Sequence, residues 1–322
     1  MTEKKVSIIT PFFNASQYLE DIATSIKGQT YSNWEWIIVN DSSQASEWEP
    51  VVHLAETDSR ISAINRSPEK NTGACACRNT GIDRCSGDYL LFLDADDMLS
   101  STCLEDRLHS IGVYDTDESQ ILFFQTIAFE EKGVSRYLWD DSENPMEWLE
   151  SIWTQSPPCQ SSGPFWPSKL IKRIGGWNEN MMVWQDLELH TRAHVSGIRF
   201  IDAKPEKPDV YYRISPKSLS HLNFHSFEKT TSRLRFLSYC LDLDDELSSN
   251  QIRALRSLTY SVLKGLIAQR RWEEARLIAN QKSARLDTKT RFAFKRLICA
   301  YQLRMCKSPL FSSSLLYHSS LT

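Results

Sequence analysis

Several features that would reveal a function directly are missing from this chain of 322 residues. Glycine is scarce, with 11 residues, and neither a G-x-G-x-x-G nor a P-loop pattern occurs, which argues against a dehydrogenase or an NTPase. The 8 cysteines form no C-x-x-C pairs and have no ligand histidines nearby, so we expect no zinc site. The formal net charge of −4 lacks the basic excess that is typical of nucleic-acid binding.

Long apolar segments are also missing, and no run is long enough to cross a bilayer. The amino terminus leads from Met1 to Lys5 straight into an apolar strand, without the pattern of a signal peptide. We therefore expect a cytoplasmic protein with reduced thiols. The remaining composition, 41% hydrophobic and 24% charged, is typical of a globular protein with a sizeable core.

Apolar runs alternate with helical periodicity through the first two thirds of the chain. The runs are near-continuous, which is typical of a mostly parallel α/β sheet covered by helices on both faces. Strands are predicted at 6–10, 34–39, 61–64, 89–93, 121–124 and 210–213, and helices after Ser16, around 51–55 and over 73–85. Beyond about residue 220 apolar residues recur at three and four positions, which predicts an all-helical extension over 221–322 after an α/β domain over 1–220.

Polar residues follow the ends of several predicted strands. Each group alone is more often a cap or a turn. Because the carboxyl ends of parallel strands share one edge, which is where open α/β sheets bind ligands, we expect these groups to line one crevice. They are Pro11 with Asn14, the segment 40–43 around Asp41, Asn71 with Arg78, and Asp94 with Asp96.

The acidic segment Asp94–Asp97 comes directly after an apolar run. Carboxylates one residue apart can share Mg²⁺ or Mn²⁺, and such a cation usually completes its shell with water and substrate phosphates. Asp41 as acceptor for a base or ribose, Arg78 near phosphate and a metal at Asp96 together outline a nucleoside-diphosphate site. An ordinary strand-to-helix turn is the alternative for the isolated motif.

The order of these motifs resembles the family 2 glycosyltransferases, over roughly residues 5–220. The likeness rests on V-S-I-I-T-P-F-F-N at 6–14, Q-T-Y-S-N-W-E at 29–35, V-N-D-S-S at 39–43, N-T-G at 71–73 with R-N-T-G at 78–81, G-D-Y at 87–89 with the D-x-D, G-G-W-N-E at 175–179 and W-Q-D at 184–186. The resemblance implies a GT-A fold and a nucleotide-sugar donor.

The resemblance also implies roles for single residues. Asp41 would bind the uracil or another base, Asp94 would lie by the ribose and donor sugar, and Asp96 would bind the metal. Asp186 would be the base that activates the acceptor hydroxyl. This chain has Gln185-Asp186 where the family often has E-D, and N-D-S-S at 40–43 where it often has D-D-G-S, and neither change removes a required charge. For Asp186 a helix cap is the alternative.

Tyr212 and Arg213, at the end of the last predicted strand, resemble the family's Y-R segment. Arg213 would neutralise the leaving group, and His221 would add a metal ligand or a phosphate contact. The implied reaction is an in-line displacement that inverts the anomeric centre. The expected donor is a UDP-sugar, and the expected acceptor is a hydroxyl of a glycan or lipid-linked saccharide in bacterial surface polysaccharide synthesis.

Two other functions stay open. A nucleotidyltransferase would usually carry a glycine-rich loop where this chain has P-F-F-N-A-S at 11–16. A sugar-nucleotide-binding scaffold without catalysis is the second. The carboxyl-terminal helices mix basic residues with aromatic ones, such as Lys295 with Phe292, which is typical of contact with the inner face of a membrane. A solvated basic face on a packed helix and a subunit interface are the alternatives.

Overall fold

The computed structural model describes residues 3–114, 119–130, 133–138, 147–205, 207–214, 226–244, 246–280 and 286–302. The chain divides into two compact units. The first comprises residues 1–148, 157–180 and 185–218, and the second comprises 149–156, 181–184 and 219–322. The predicted domain boundary at residue 220 lies outside the described residues.

Two sheets form the centre of the first unit. In chain order the strands are β1 (Val6–Phe12), β2 (Trp34–Asn40), β3 (Ile61–Asn65), β4 (Tyr89–Phe92), β5 (Met98–Leu99), β6 (Gln120–Phe123), β7 (Thr126–Glu130), β8 (Gly133–Leu138), β9 (Pro164–Pro167), β10 (Arg199–Asp202) and β11 (Val210–Ile214). The larger sheet has the order β10-β6-β9-β4-β1-β2-β3, and the smaller one has the order β5-β11-β7-β8. β1 is parallel to β2 and β4, β2 is parallel to β3, and β9 is antiparallel to both of its neighbours.

Helices flank the larger sheet and also make up most of the described residues from 226 onward. They are α1 (Leu19–Lys27), α2 (Ala45–Thr57), α3 (Ala74–Arg84), α4 (Cys103–Tyr114), α5 (Trp148–Trp153), α6 (Ser168–Arg173), α7 (Gln185–Val195), α8 (Phe227–Asp242), α9 (Ser249–Ala268), α10 (Trp272–Asn280) and α11 (Thr288–Gln302). The first unit is therefore the mostly parallel α/β sheet flanked by helices that the sequence predicts, and helices follow it. None of the helices in the described ranges is long and apolar enough to cross a membrane.

The parallel strands are mostly apolar because helices cover both faces of the sheet. Successive residues of β1 point to opposite faces of the sheet, and both faces are covered. Ile8 is in one buried cluster with Trp36, and Ile9 is in another with Phe92 and Trp166. Each of these side chains is fully buried, and burying one side chain of this size contributes about 1.5–3 kcal/mol.

The prediction of secondary structure was incomplete at the less regular elements. The helix predicted around 51–55 belongs to α2, which begins at Ala45 and contains Pro50. The sequence pattern did not predict β9, because a four-residue strand of sequence P-F-W-P carries proline at both ends and proline usually marks a break.

A buried ion pair connects α4 to the start of β11. Arg107 donates from Nε and Nη2 to the Asp209 carboxylate at 2.6 and 2.9 Å, and from Nη1 to the Ser162 carbonyl at 3.0 Å. The side chains of Arg107 and Asp209 are only 0% and 5% exposed. Removing one charge of such a pair costs more than the pair contributes, because the other charge stays buried.

Asp209→Ala removes the only carboxylate that pairs with Arg107 among the described residues. We expect the free energy of unfolding to fall by about 3–5 kcal/mol, measured by urea denaturation with tryptophan fluorescence. The control is Lys4→Ala, which breaks an exposed pair with Asp88 at 3.5 Å and should cost less than about 1 kcal/mol. Equal losses for the two variants would contradict the importance of the buried pair.

Helices α8 to α11 make up most of the described residues of the second unit. Ser248 and Gln251 form a capping box at the start of α9, which satisfies two backbone N–H groups. On α8, the Ser232 hydroxyl accepts hydrogen bonds from the backbone N–H groups of Met182 and Val183 at 3.0 and 3.2 Å. Ser232 therefore fixes the segment 181–184 within this unit.

Candidate active site

The parallel strands bring their polar carboxyl ends to one edge of the larger sheet. Pro11 lies in β1 opposite Val39 of β2, and Asn14 follows β1 with a positive φ of 48°. Asn14 Oδ1 accepts a hydrogen bond from the Gln44 N–H at 2.9 Å, and the Asn14 N–H donates to Ser43 Oγ at 3.0 Å. Asn14 thereby connects the loops after β1 and β2, which places the first two predicted polar groups side by side.

Asp41 follows β2 and joins two further elements of this edge. Its Oδ1 accepts a hydrogen bond from Arg66 Nε at 2.8 Å, and its Oδ2 accepts one from the Gly73 N–H at 2.8 Å. Gly73 precedes α3 with a φ of 107°, which glycine adopts without strain. Arg66 was not among the predicted site residues, although it follows β3 as the other polar groups follow their strands.

Arg78 lies on α3 and connects two other parts of the edge. Nη2 donates to Asp94 Oδ1 at 2.6 Å, and Nη1 donates to Gln185 Oε1 at 2.8 Å. The guanidinium also stacks over Trp177, with Cζ 4.4 Å from the ring centroid. Arg78 is buried, and both of its terminal nitrogens donate to protein groups.

The acidic segment after β4 carries negative charge that its surroundings only partly balance. Burial, and secondarily the charge of Asp94, raises the pKa of Asp96 to about 6. Asp97 is buried, and its Oδ1 accepts a hydrogen bond from the Arg213 N–H at 3.0 Å. Burial and the neighbouring carboxylates raise the pKa of Asp97 well above its usual value. A bound cation would relieve this repulsion.

The oxygen donors of this segment suit a hard divalent cation. Among the described residues no three His, Cys, Asp or Glu side chains are grouped to bind a metal by themselves. Asp94 is already paired with Arg78, whereas the Asp96 carboxylate forms no ion pair in the described part of the chain, and the charge of Arg213 only partly offsets the rise in the pKa of Asp96. Asp96 therefore fits a cation that takes its other ligands from water and phosphate. His221, the other predicted ligand, lies outside the described residues.

Arg213 lies on β11 of the smaller sheet and contacts the acidic segment after β4. Its Nε donates to the Asp96 carbonyl at 2.9 Å, and its Nη2 donates to Asp21 Oδ2 at 2.7 Å. Its guanidinium lies 4.9 and 4.8 Å from the ring centroids of Tyr18 and Phe129. Asp21 carries no local sequence signal, because it lies within an amphipathic helix 192 residues away in the chain.

Asp186 is the second residue of α7. Its Oδ1 accepts a hydrogen bond from the Leu187 N–H at 3.0 Å. Burial raises the pKa of Asp186, Arg78 opposes this rise and the charge of Asp94 adds to it. Glu188 points elsewhere and pairs with Arg192 at 2.9 Å. Asp186 is therefore a carboxyl group whose proton affinity is raised.

Asn71 lies in the loop before α3 and connects it to the G-G-W-N-E segment. Its N–H donates to Glu179 Oε2 at 3.0 Å, and Asn79 Nδ2 donates to Glu179 Oε1 at 2.8 Å. A Cβ atom on Gly176 would lie 2.5 Å from Asn79 Oδ1. Glycine at 176 is therefore required by this close approach as well as by its φ of 66°.

Comparison with known proteins shows which family the first part of the chain is similar to. Residues 7–154 match the model of glycosyl transferase family 2. A relative at 38% identity over 103 residues is the putative teichuronic acid biosynthesis glycosyltransferase TuaG of Bacillus subtilis, and glycosyltransferase GlyA of Streptococcus pneumoniae serotype 4 is 35% identical over 117 residues. The matches cover 32% and 36% of this chain, and 40% and 16% of TuaG and GlyA respectively. The resemblance in the motifs is therefore confirmed for residues 7–154, which are similar to glycosyl transferase family 2, and the chain spans less than half the length of these two relatives.

Solved structures agree on the fold. S. aureus TarS 1–349, in complex with UDP-GlcNAc, superposes with a TM-score of 0.68 over 92% of this chain and 88% of that chain, at 16% identity. The mannosyltransferase PcManGT of Pyrobaculum calidifontis, in complex with GDP-Man and Mn²⁺, gives a TM-score of 0.52 over 94% and 87%, also at 16% identity. These likenesses confirm the predicted fold class.

Proposed function

We propose that this protein transfers a sugar from a nucleotide-diphosphate sugar, expected to be a UDP-sugar, to a hydroxyl of a glycan or lipid-linked saccharide, with inversion of the anomeric centre. The observation that carries the proposal is the arrangement around Arg78, which brings Asp94 and the start of α7 with Asp186 to one sheet edge. The UDP-GlcNAc of TarS supports a nucleotide-sugar donor, and the name of TuaG supports a role in surface polysaccharide synthesis.

The donor would bind along the loops after β1 to β4. Asp41 would accept hydrogen bonds from the base, because each carboxylate oxygen has a second lone pair beyond those used by Arg66 and Gly73. Pro11, Asn14 and Asn71 would shape the loops around the nucleotide, and Asp94 would face the ribose and donor sugar. Arg213 would contribute positive charge near the diphosphate.

Asp96 would bind Mn²⁺ or Mg²⁺, with His221 as a further predicted ligand. When bound, the cation stabilises the negative charge that develops on the departing nucleoside diphosphate. The Mn²⁺ in the PcManGT complex supports a metal in this fold.

Asp186 would act as general base and take the proton of the acceptor hydroxyl as the oxygen attacks the anomeric carbon. Its raised pKa suits this task, because a base must hold the proton that it receives.

A scaffold without catalysis would bind the donor and transfer nothing, and a nucleotidyltransferase would form or cleave the nucleotide-sugar itself. A transfer assay that identifies the nucleoside diphosphate product separates the three functions.

Substitution of Asp96 tests the proposed metal site. Asp96→Asn keeps the size of the side chain and removes the charge that the cation requires, so sugar transfer with Mn²⁺ should fall by about 10²-fold or more. The melting temperature without metal should not fall, because burial and Asp94 destabilise the charged form of Asp96. A variant that retains full activity in chelated buffer would contradict the metal site.

Substitutions of Asp186 and Asp41 separate the proposed general base from the proposed donor contact. Asp186→Asn should lower turnover by ~10²–10⁴ while donor affinity stays unchanged, because the residue contacts the acceptor. Asp41→Ala should instead weaken nucleoside diphosphate binding, measured by calorimetry. If Asp186→Asn weakens donor binding and has no separate effect on turnover, Asp186 is a helix cap whose loss deforms the edge.

We also propose that α11 contacts an anionic membrane surface. Lys289, Phe292 and Arg296 are exposed and recur at i, i+3 and i+7, so they lie on one side of the helix. Phe292 is 61% exposed. Such a surface combines a charge that attracts anionic lipid with an aromatic anchor.

Co-sedimentation with vesicles tests the membrane contact. The wild type should bind vesicles that contain phosphatidylglycerol and not those of phosphatidylcholine alone, and Phe292→Ser with Arg296→Glu should abolish binding. Lys27→Glu, on α1 of the other unit, makes the same charge change as Arg296→Glu and should retain binding. Concentration-dependent dimers that the double variant disrupts, without lipid binding by the wild type, would favour a subunit interface.

A further inference from the structure

Gln185, the residue before the proposed base Asp186, is neutral, although it contacts the buried guanidinium of Arg78. Gln185 Oε1 accepts a hydrogen bond from Arg78 Nη1 at 2.8 Å. The other arm of the same guanidinium binds Asp94 at 2.6 Å. An arginine has only donors, so residue 185 must offer an oxygen to it, and either an amide or a carboxylate of this length meets that requirement.

The charges around Asp186 make the difference between an amide and a carboxylate important. From α3, Arg78 supplies the positive charge and Cys75 is neutral, because burial raises the pKa of its thiol to about 12. The loop after β4 supplies Asp94, and Glu188 of α7 is paired with Arg192. The positive charge of Arg78 therefore acts on two carboxylates of the first unit, those of Asp94 and Asp186.

We propose that Gln185 is a positioning residue, whose neutral amide anchors the start of α7 to Arg78 and leaves the charge of Arg78 to Asp94 and Asp186. The inference rests on the proposed function, since it concerns how Asp186 is kept able to accept a proton. A glutamate at this position would make the same contact and add a negative charge next to Asp186. Like charges disfavour ionisation, so Asp186 would then bind its proton more tightly.

Two substitutions separate the contact from the charge. Gln185→Glu keeps an oxygen for Arg78 and adds charge, whereas Gln185→Leu removes the oxygen and adds none. In the pH dependence of kcat/KM, a general base must be deprotonated, so a raised pKa moves the acid limb to higher pH. We expect Gln185→Glu to move this limb upward by about one pH unit and to recover wild-type turnover above it.

Gln185→Leu should leave the acid limb in place and lower kcat at every pH by roughly tenfold, because the base is then less well positioned. KM for the donor should change little in either variant. If both variants show the same loss at all pH values, or if neither shows any loss, the assignment is wrong.

A second measurement does not depend on turnover. Protein labelled with ¹³C at the aspartate carboxyl carbons is titrated by NMR, and the Asp186 signal is identified by its absence in Asp186→Asn. The midpoint for Asp186 should rise in Gln185→Glu and stay near the wild-type value in Gln185→Leu. An unchanged or lowered midpoint in Gln185→Glu overturns the inference. A raised midpoint in a protein that transfers no sugar would instead mean that the proposed function is wrong while the charge relation holds.

Discussion

The candidate site depends on one buried guanidinium group, that of Arg78. Removing a guanidinium from water is costly, so Arg78 is stable in its position only because Asp94, Gln185 and the face of Trp177 surround it. These three groups come from the end of β4, the start of α7 and the loop before it. Arg78 therefore fixes the distance between the loop proposed to face the donor and the helix that carries the proposed base. A fork with fixed geometry suits this task better than a lysine, whose single ammonium is a point charge.

The sequence was most informative where a structural rule acts over many residues. Continuous apolar runs predicted buried parallel strands, and the carboxyl-edge rule then placed Asn14, Asp41 and Asp94 together, as the structure has them. What could not be predicted are the partners. Asp21 and Arg213 are 192 residues apart, and Arg78 and Gln185 are 107 apart. No local pattern encodes such pairs, since tertiary packing alone brings them together. Arg66 is different, because the same edge rule would have identified it.

The neighbouring carboxylates Asp96 and Asp97 show how one short motif serves structure and chemistry at once. Asp97 is buried, and it accepts the backbone N–H of Arg213, so it connects the acidic loop to β11. The Asp96 carbonyl accepts a hydrogen bond from the side chain of the same arginine, which leaves the Asp96 carboxylate available. These two hydrogen bonds fix the backbone of the turn at Asp96 and Asp97. The protein therefore loses less conformational entropy when Asp96 binds a cation. The third acidic residue, Asp94, is neutralised by Arg78, so three nearly adjacent carboxylates have three different environments.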